Sequence, residues 1–88
     1  MASYSIIFKP SVEKDLRHLS RSTIVRLMRS IEGLKDDPFP RHAIKLTDAE
    51  RLVRLRVGDY RIVYEVNVPA KQIAIHYIRH RREAYCNL

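Results

Sequence analysis

The sequence predicts an α+β fold: a small antiparallel sheet of three to four strands, with an N-terminal strand and a two-helix hairpin packed on one face. A change of pattern predicts it, because apolar residues recur at helical spacing in the first part of the chain and alternate with polar residues after residue 51. With 88 residues, 45% hydrophobic and 31% charged, the chain suits one globular domain, which we expect to span residues 1–88.

The N-terminal elements are a short strand and a first helix. The apolar stretch YSIIF at residues 4–8 predicts the strand. Pro10 suits the first position of a helix, because a backbone N–H at that position would have no acceptor within the helix and proline lacks one. The helix then carries one narrow apolar stripe, made of Val12, Leu16 and Leu19.

The second helix has the clearest periodicity in the chain. The SRS stretch at residues 20–22 offers serines as N-caps. Its apolar face consists of Ile24, Leu27, Met28, Ile31 and Leu34. The DDPFP stretch at residues 36–40 ends the helix, because two prolines cannot continue it. Because only a few residues separate the two helices, we expect them to form an antiparallel helical hairpin.

Residues 51–57 and 60–68 predict a β-hairpin closed by Gly58 and Asp59. Glycine at the first central position suits a type II′ turn. The resulting register divides the hairpin into two faces, because side chains alternate along a strand. The core face collects Val53, Leu55, Val57, Tyr60, Ile62, Tyr64 and Val66. The opposite face, called the arginine face below, collects Leu52, Arg54, Arg56, Arg61, Val63 and Glu65.

The arginine face is unusual, because Arg56 lies directly opposite Arg61 in this register and like charges facing each other destabilise a strand pair. A phosphate-bearing ligand accounts for such a cluster. The alternative is a solvated sheet face that tolerates its charge.

A third strand is predicted at residues 72–79, after a turn at 69–71, and the AIKL stretch at 43–46 offers a further short strand. Simple alternation from the second strand assigns its residues to both faces. Ile73, Ile75 and Tyr77 join the core face. Gln72, Ala74, His76, Ile78 and His80 join the arginine face.

The charge is uneven along the chain. The whole sequence carries +7, and residues 51–88 hold eight basic and three acidic side chains. Seven of those eight are arginines, whose planar fork matches phosphate. This half therefore predicts a polyanionic partner such as RNA or DNA, or an acidic protein. Solubility alone is the alternative.

Other classes of protein fit the sequence poorly. There is no run of eighteen apolar residues, and the N-terminus lacks the pattern of a signal peptide, so we expect no membrane association. The single cysteine, Cys86, has no partner for an internal disulfide, which favours a cytosolic protein.

The residue types available for chemistry are arginine, histidine, lysine and tyrosine. The four histidines, His18, His42, His76 and His80, show no metal-ligand spacing, and no glycine-rich phosphate loop is present. We expect no metal and no cofactor. An enzyme built from these residues suits RNA, which carries its own nucleophile in the 2′-hydroxyl group.

The order of elements, with Lys45-Leu46, LRVGDYRIVYEV at 55–66 and HRREAY at 80–85, resembles the RelE/ParE superfamily of toxins from bacterial toxin–antitoxin systems. The resemblance implies a small cytosolic toxin that an antitoxin holds silent. RelE-type members cut mRNA on the ribosome without a metal, whereas ParE-type members poison DNA gyrase.

The resemblance also implies roles for four residues. Arg61 matches an arginine that grips the scissile phosphate, and Arg81 one that stabilises the transition state or protonates the leaving oxygen. Tyr85 matches a tyrosine that stacks on a base and helps to activate the 2′-hydroxyl. Arg54 matches a basic strand residue that is often lysine. Further RNA or phosphate contacts are expected from Arg56, Lys45, His80, Arg79 and Arg82.

The sequence departs from the RelE-type pattern at two positions. Leu52 stands where some ribosome-dependent members carry a lysine, and Arg54 is a poor base because guanidinium stays protonated. The proton acceptor is therefore open between Tyr85 and His80.

Three interpretations follow. The first is a RelE-type endoribonuclease that acts on mRNA at the ribosome and is bound by an acidic, RelB-like antitoxin. The second is a ParE-type gyrase inhibitor without chemistry of its own. The third is an RNA- or DNA-binding protein of this fold that is not a toxin.

Overall fold

The computed structural model describes residues 3–46 and 51–80. The elements in chain order are β1 (Ser5–Phe8), α1 (Pro10–Arg17), α2 (Arg21–Gly33), β2 (Ile44–Lys45), β3 (Leu52–Val57), β4 (Tyr60–Asn67) and β5 (Gln72–His80). Neither helix offers the long apolar stretch that crossing a bilayer requires within these ranges.

The five strands form one sheet in the order β1-β5-β4-β3-β2. The strands from β2 to β5 pair with antiparallel neighbours, whereas β1 runs parallel to β5. The α+β class is confirmed, but the sheet has more strands than predicted and is mixed. The N-terminal strand forms one edge of the sheet, and the AIKL stretch forms the other.

The helix boundaries follow from local chemistry. Pro10 occupies the first turn of α1, and Ser20 is the N-cap of α2, with its side chain accepting a hydrogen bond from the Thr23 backbone N–H. A turn at residues 34–36 follows α2, and Pro38 and Pro40 then prevent any helical continuation.

The core lies between the helices and one face of the sheet, as the alternation predicts. Ile62 and Tyr64 are completely buried, and α2 contributes Leu27, Ile31 and its C-cap Leu34. The full core cluster is Tyr4, Val12, Leu27, Ile31, Leu34, Val53, Leu55, Ile62, Tyr64, Val66, Ile73, Ile75 and Ile78. The predicted packing of the second helix on the hairpin is therefore confirmed.

Tyr64 ties the segment after α2 to the sheet. Its hydroxyl donates a hydrogen bond to the Pro38 carbonyl oxygen over 2.8 Å. Burial raises the pKa of the Tyr64 hydroxyl well above its ordinary value, and the nearby Asp37 carboxylate raises it further. The buried phenol therefore stays neutral, and its hydroxyl has a hydrogen-bond partner.

The pairing of β4 with β5 contains a bulge that simple alternation does not predict. Tyr64 faces Ile75, whereas the preceding Val63 faces Tyr77, so His76 is an extra residue on β5. A bulge of this kind moves every later side chain to the opposite face.

The bulge overturns three face assignments. Ile78 lies opposite Ile62 and is buried in the core rather than on the arginine face. Tyr77 leaves the core face and is exposed. His80 lies opposite Tyr60, so it too is on the side of the sheet away from the arginines.

The bulge lies where the edge of β5 changes partner from β1 to α1. β1 pairs with β5 only as far as Ile75. Beyond that residue α1 takes over the edge, where the Ser11 hydroxyl donates to the His76 carbonyl oxygen over 2.6 Å and the Ile78 N–H donates to the Asp15 carboxylate over 2.9 Å. The edge of β5 thus changes partner at the bulge, and its polar groups remain satisfied.

Candidate nucleic-acid interface

The arginine face forms as predicted, because the two-residue turn fixes the register of β3 and β4. Arg56 lies opposite Arg61, and Arg54 lies opposite Val63. An open pocket of about 520 Å³ lies between these strands, β2 and the segment before β2. This arginine pocket is lined by His42, Ile44, Arg54, Arg56, Gly58 and Arg61.

Two arginines of this pocket, Arg54 and Arg56, form no ion pair within the described part of the chain. The lysine and arginine ion pairs found there are Lys35–Glu32 and Arg79–Asp15. Glu65, the acidic residue of this face, is engaged by His76 over 3.1 Å. An anion in the pocket would relieve the repulsion between facing arginines.

The turn at the tip of the hairpin requires glycine. Gly58 has φ +61°, and Asp59 does not share this left-handed conformation, as a type II′ turn demands. A Cβ at residue 58 would also lie 2.9 Å from Nη1 of Arg26. Arg56 Nε donates to the Gly58 carbonyl oxygen over 3.3 Å. Helix α2 therefore approaches the arginine pocket through Arg26.

Two of the predicted phosphate contacts do not face the arginine pocket. Lys45 lies opposite Val53 in the β2–β3 register, so Ile44 takes the place beside Arg54. His80 forms an edge-to-face contact with Tyr60, with ring centroids 5.1 Å apart. Register, not sequence proximity to the arginines, decides the face, and whether Lys45 and His80 contact phosphate stays a prediction.

Arg79 lies on the arginine face opposite Arg61 but has structural partners. Its Nη1 donates to Asp15 Oδ1 over 2.6 Å, and its guanidinium carbon lies 4.8 Å from the centre of the Tyr77 ring. Its charge is therefore largely matched within the fold. Arg81, Arg82 and Tyr85 lie outside the described residues, and their roles remain predictions.

Two residues that line the pocket, His42 and Ile44, are not marked as site residues by the sequence pattern. The pairing of Ile44 with Arg54 brings this segment to the pocket. A contact formed by a loop before an edge strand leaves no periodic signal in the sequence.

Within residues 3–46 and 51–80, no three His, Cys, Asp or Glu side chains are arranged to hold a metal ion.

Comparisons with known proteins identify the family of this chain. The family described as "ParE toxin of type II toxin-antitoxin system, parDE" matches residues 6–85. A protein of Methanocaldococcus jannaschii named "Putative toxin RelE1" is 30% identical over 87 residues, which cover 96% of this chain and 97% of that protein.

Solved structures show the same similarity in three dimensions. The archaeal RelE–RelB complex from Pyrococcus horikoshii OT3 matches with a TM-score of 0.81 and 33% identity, over 90% of this chain and 96% of that chain. The RelB–RelE antitoxin–toxin complex from Methanococcus jannaschii matches with a TM-score of 0.75 and 26% identity, over 93% and 98%. The chain therefore belongs to the RelE/ParE superfamily of toxins of type II toxin–antitoxin systems.

Proposed function

We propose that this toxin is an endoribonuclease that cleaves mRNA on the ribosome without a metal and so inhibits translation in the cytoplasm. One observation carries the proposal: Arg56 faces Arg61 across two rigid strands, with Arg54 beside them, in an open pocket. Preorganised cations on a rigid element are suited to a transition state that gains negative charge.

The chemistry requires little from the protein beyond charge and proton transfer. The 2′-hydroxyl oxygen attacks the adjacent phosphorus in line, and the bond to the 5′-oxygen breaks. The products are a 2′,3′-cyclic phosphate and a 5′-hydroxyl group. In this scheme Arg61 binds the scissile phosphate, while Arg54 and Arg56 bind flanking phosphates and stabilise the developing charge.

The tail supplies the remaining groups of the scheme. Arg81 stabilises the pentacoordinate phosphorus or protonates the leaving 5′-oxygen, and Tyr85 stacks on a base next to the cleaved bond. Arg82 adds a phosphate contact. The roles of Arg81 and Tyr85 rest on the similarity to RelE-type toxins, whereas the contact of Arg82 is a prediction from the basic RHRR stretch at residues 79–82.

The proton acceptor is the least constrained role, and the geometry adds His42 to its candidates. Arg54 cannot serve, because guanidinium does not release its proton in proteins. His80 is on the wrong side of the sheet, whereas His42 lines the arginine pocket. Imidazole exchanges protons near neutral pH, so we assign the role to His42, with Tyr85 as the other candidate.

The rate of cleavage tests this assignment. His42→Gln should lower the single-turnover rate roughly 10²-fold, because an amide side chain cannot accept the proton of the 2′-hydroxyl. The matched control is His18→Gln, which changes an exposed histidine outside the arginine pocket. A variant that keeps the full rate would leave Tyr85 as the acceptor.

An acidic, RelB-like antitoxin is the proposed partner. The Pyrococcus horikoshii and Methanococcus jannaschii structures are complexes of a RelE with a RelB. The eight basic and three acidic side chains of residues 51–88 favour an acidic partner over this half of the chain. The association rate of the complex should fall as salt is added. A complex that leaves the arginine face and the tail open would contradict this placement.

A ParE-type gyrase inhibitor is the second candidate, because the matching family is described as a ParE toxin. Primer extension on cellular messages after induction separates the two functions, and cleavage should be repeated in vitro with and without ribosomes. Cut messages support the ribonuclease. Growth arrest with intact messages and inhibited gyrase supercoiling would replace it with the gyrase inhibitor.

A further inference from the structure

The tip of the β3–β4 hairpin brings a helix residue to the arginine pocket. A Cβ placed on Gly58 would lie 2.9, 3.1 and 3.2 Å from Nη1, Cζ and Nη2 of Arg26. The guanidinium of Arg26 therefore lies beside the turn, although its side chain belongs to α2 and is exposed to solvent.

A second open pocket, of about 530 Å³, lies between this helix and the hairpin. We call it the helix-side pocket, and its polar lining includes Arg26, Ser30, Asp37, His42 and Arg56. It shares His42, Arg56 and Gly58 with the arginine pocket. The two pockets therefore adjoin each other around the tip of the hairpin.

We propose that the helix-side pocket is a second phosphate subsite, formed by Arg26 and Arg56, for the RNA strand whose scissile phosphate lies in the arginine pocket. The inference rests on the proposed function and extends it to a residue of α2. An RNA strand carries a phosphate at every nucleotide, so two adjoining cationic pockets suit neighbouring phosphates of one strand.

The electrostatics of Arg26 support a ligand rather than an internal role. No ion pair in the described ranges includes Arg26 or Arg56. A guanidinium carries five N–H donors in a planar fork that matches phosphate, so an arginine without an ion pair in these ranges suits such a ligand. Ser30 adds a hydroxyl donor to the same lining.

Asp37 is the opposing charge in this pocket. Its Oδ1 accepts a hydrogen bond from the Phe39 N–H over 3.2 Å, so the carboxylate is occupied by the loop that it stabilises. Its negative charge weakens a phosphate site nearby. Asp37→Asn keeps an acceptor oxygen for Phe39 but removes the charge, which makes it a variant with the opposite expected effect.

The test is binding of a fluorescent, 2′-O-methylated single-stranded RNA, which cannot be cleaved because its nucleophile is blocked. Arg26→Gln should weaken binding roughly 10-fold and reduce the slope of log K against log salt by about 0.7, the value for one phosphate contact of a single strand. Arg26→Lys should restore the salt slope, and Asp37→Asn should tighten binding a few-fold. In cleavage assays Arg26→Gln should raise KM and leave kcat unchanged.

Arg29→Gln is the matched control, because Arg29 is exposed on the same helix and lines neither pocket. Equal binding and equal salt slopes for Arg26→Gln and Arg29→Gln, with a wild-type protein that binds and cleaves RNA, would overturn the subsite and leave the proposed function standing. A wild-type protein that does not bind this RNA and does not cleave mRNA with or without ribosomes would overturn both. Thermal melting of each variant separates loss of binding from loss of fold.

Discussion

The two ends of the arginine face differ in how their arginines are paired with acidic side chains. At the β3–β4 end, Arg56 faces Arg61, and no carboxylate of the described residues forms an ion pair with Arg54 or Arg56. At the β5 end, Arg79 is paired with Asp15 of α1. The charge of Arg79 therefore helps to hold α1 to the sheet, whereas the charges of Arg54 and Arg56 remain available to an anion.

The largest expected effect concerns the core that supports both ends. Ile62 is completely buried and pairs with Ile78 across β4 and β5. Ile62→Ala should lower the free energy of unfolding by roughly 2–5 kcal/mol, because it leaves a cavity that the surrounding side chains fill only in part. Urea unfolding followed by circular dichroism measures the change. A variant that unfolds like the wild-type protein would show that the core face is assigned wrongly.

Arg61 directly precedes Ile62 on β4, and its side chain lies on the opposite face of the sheet. Its substitution should therefore affect activity rather than the core. Arg61→Ala should reduce RNA cleavage on the order of 10²- to 10³-fold, because one preorganised charge is lost from the transition state. Primer extension after induction measures the loss. Binding of the antitoxin at its wild-type stoichiometry is the control that the variant remains folded.

At the β5 end, substitution should affect stability rather than cleavage. Asp15→Ala removes the acceptor for both the Ile78 N–H and the Arg79 guanidinium, and should lower stability by about 1–3 kcal/mol. Cleavage by the remaining folded protein should change little, because α1 does not line the arginine pocket. A loss of cleavage without a loss of stability would mean that Arg79 acts on RNA and that the comparison between the two ends is wrong.

The same contrast explains which parts of the fold the sequence predicts. The β3–β4 register is local, since a two-residue turn determines every facing pair from Val57 and Tyr60 onward. The β5 register is not local, because the bulge at His76 coincides with a hydrogen bond from Ser11, 65 residues away. Counting alternate residues cannot detect such a contact.

The site follows the same division between local and distant contacts. The sequence groups Arg54, Arg56 and Arg61 because they belong to one hairpin. It does not group Arg26 or His42 with them, because the approach of these two residues depends on how α2 and the segment before β2 pack against the hairpin. Sequence patterns therefore predict the arginine cluster of the candidate site but not the residues around it.

The smallest expected effect is a pH-dependent one at Tyr64. Tyr64→Phe removes the hydrogen bond to the Pro38 carbonyl oxygen and should cost about 1 kcal/mol of stability at neutral pH. In the wild-type protein the folded state resists ionisation of this phenol, because burial raises its pKa above the ordinary value of 10.0. Above about pH 10 the unfolded chain binds fewer protons than the folded chain, so wild-type stability falls as the pH rises.

Phenylalanine cannot ionise, so the variant lacks this contribution to alkaline unfolding. At about pH 11 the wild-type protein should have lost about 1.4 kcal/mol through this group, which offsets the hydrogen bond and makes the two proteins equally stable. Urea unfolding of both proteins at pH 7 and pH 11 measures the difference. A stability gap that stays constant between the two pH values would show that the Tyr64 hydroxyl ionises as readily in the folded protein as in the unfolded chain.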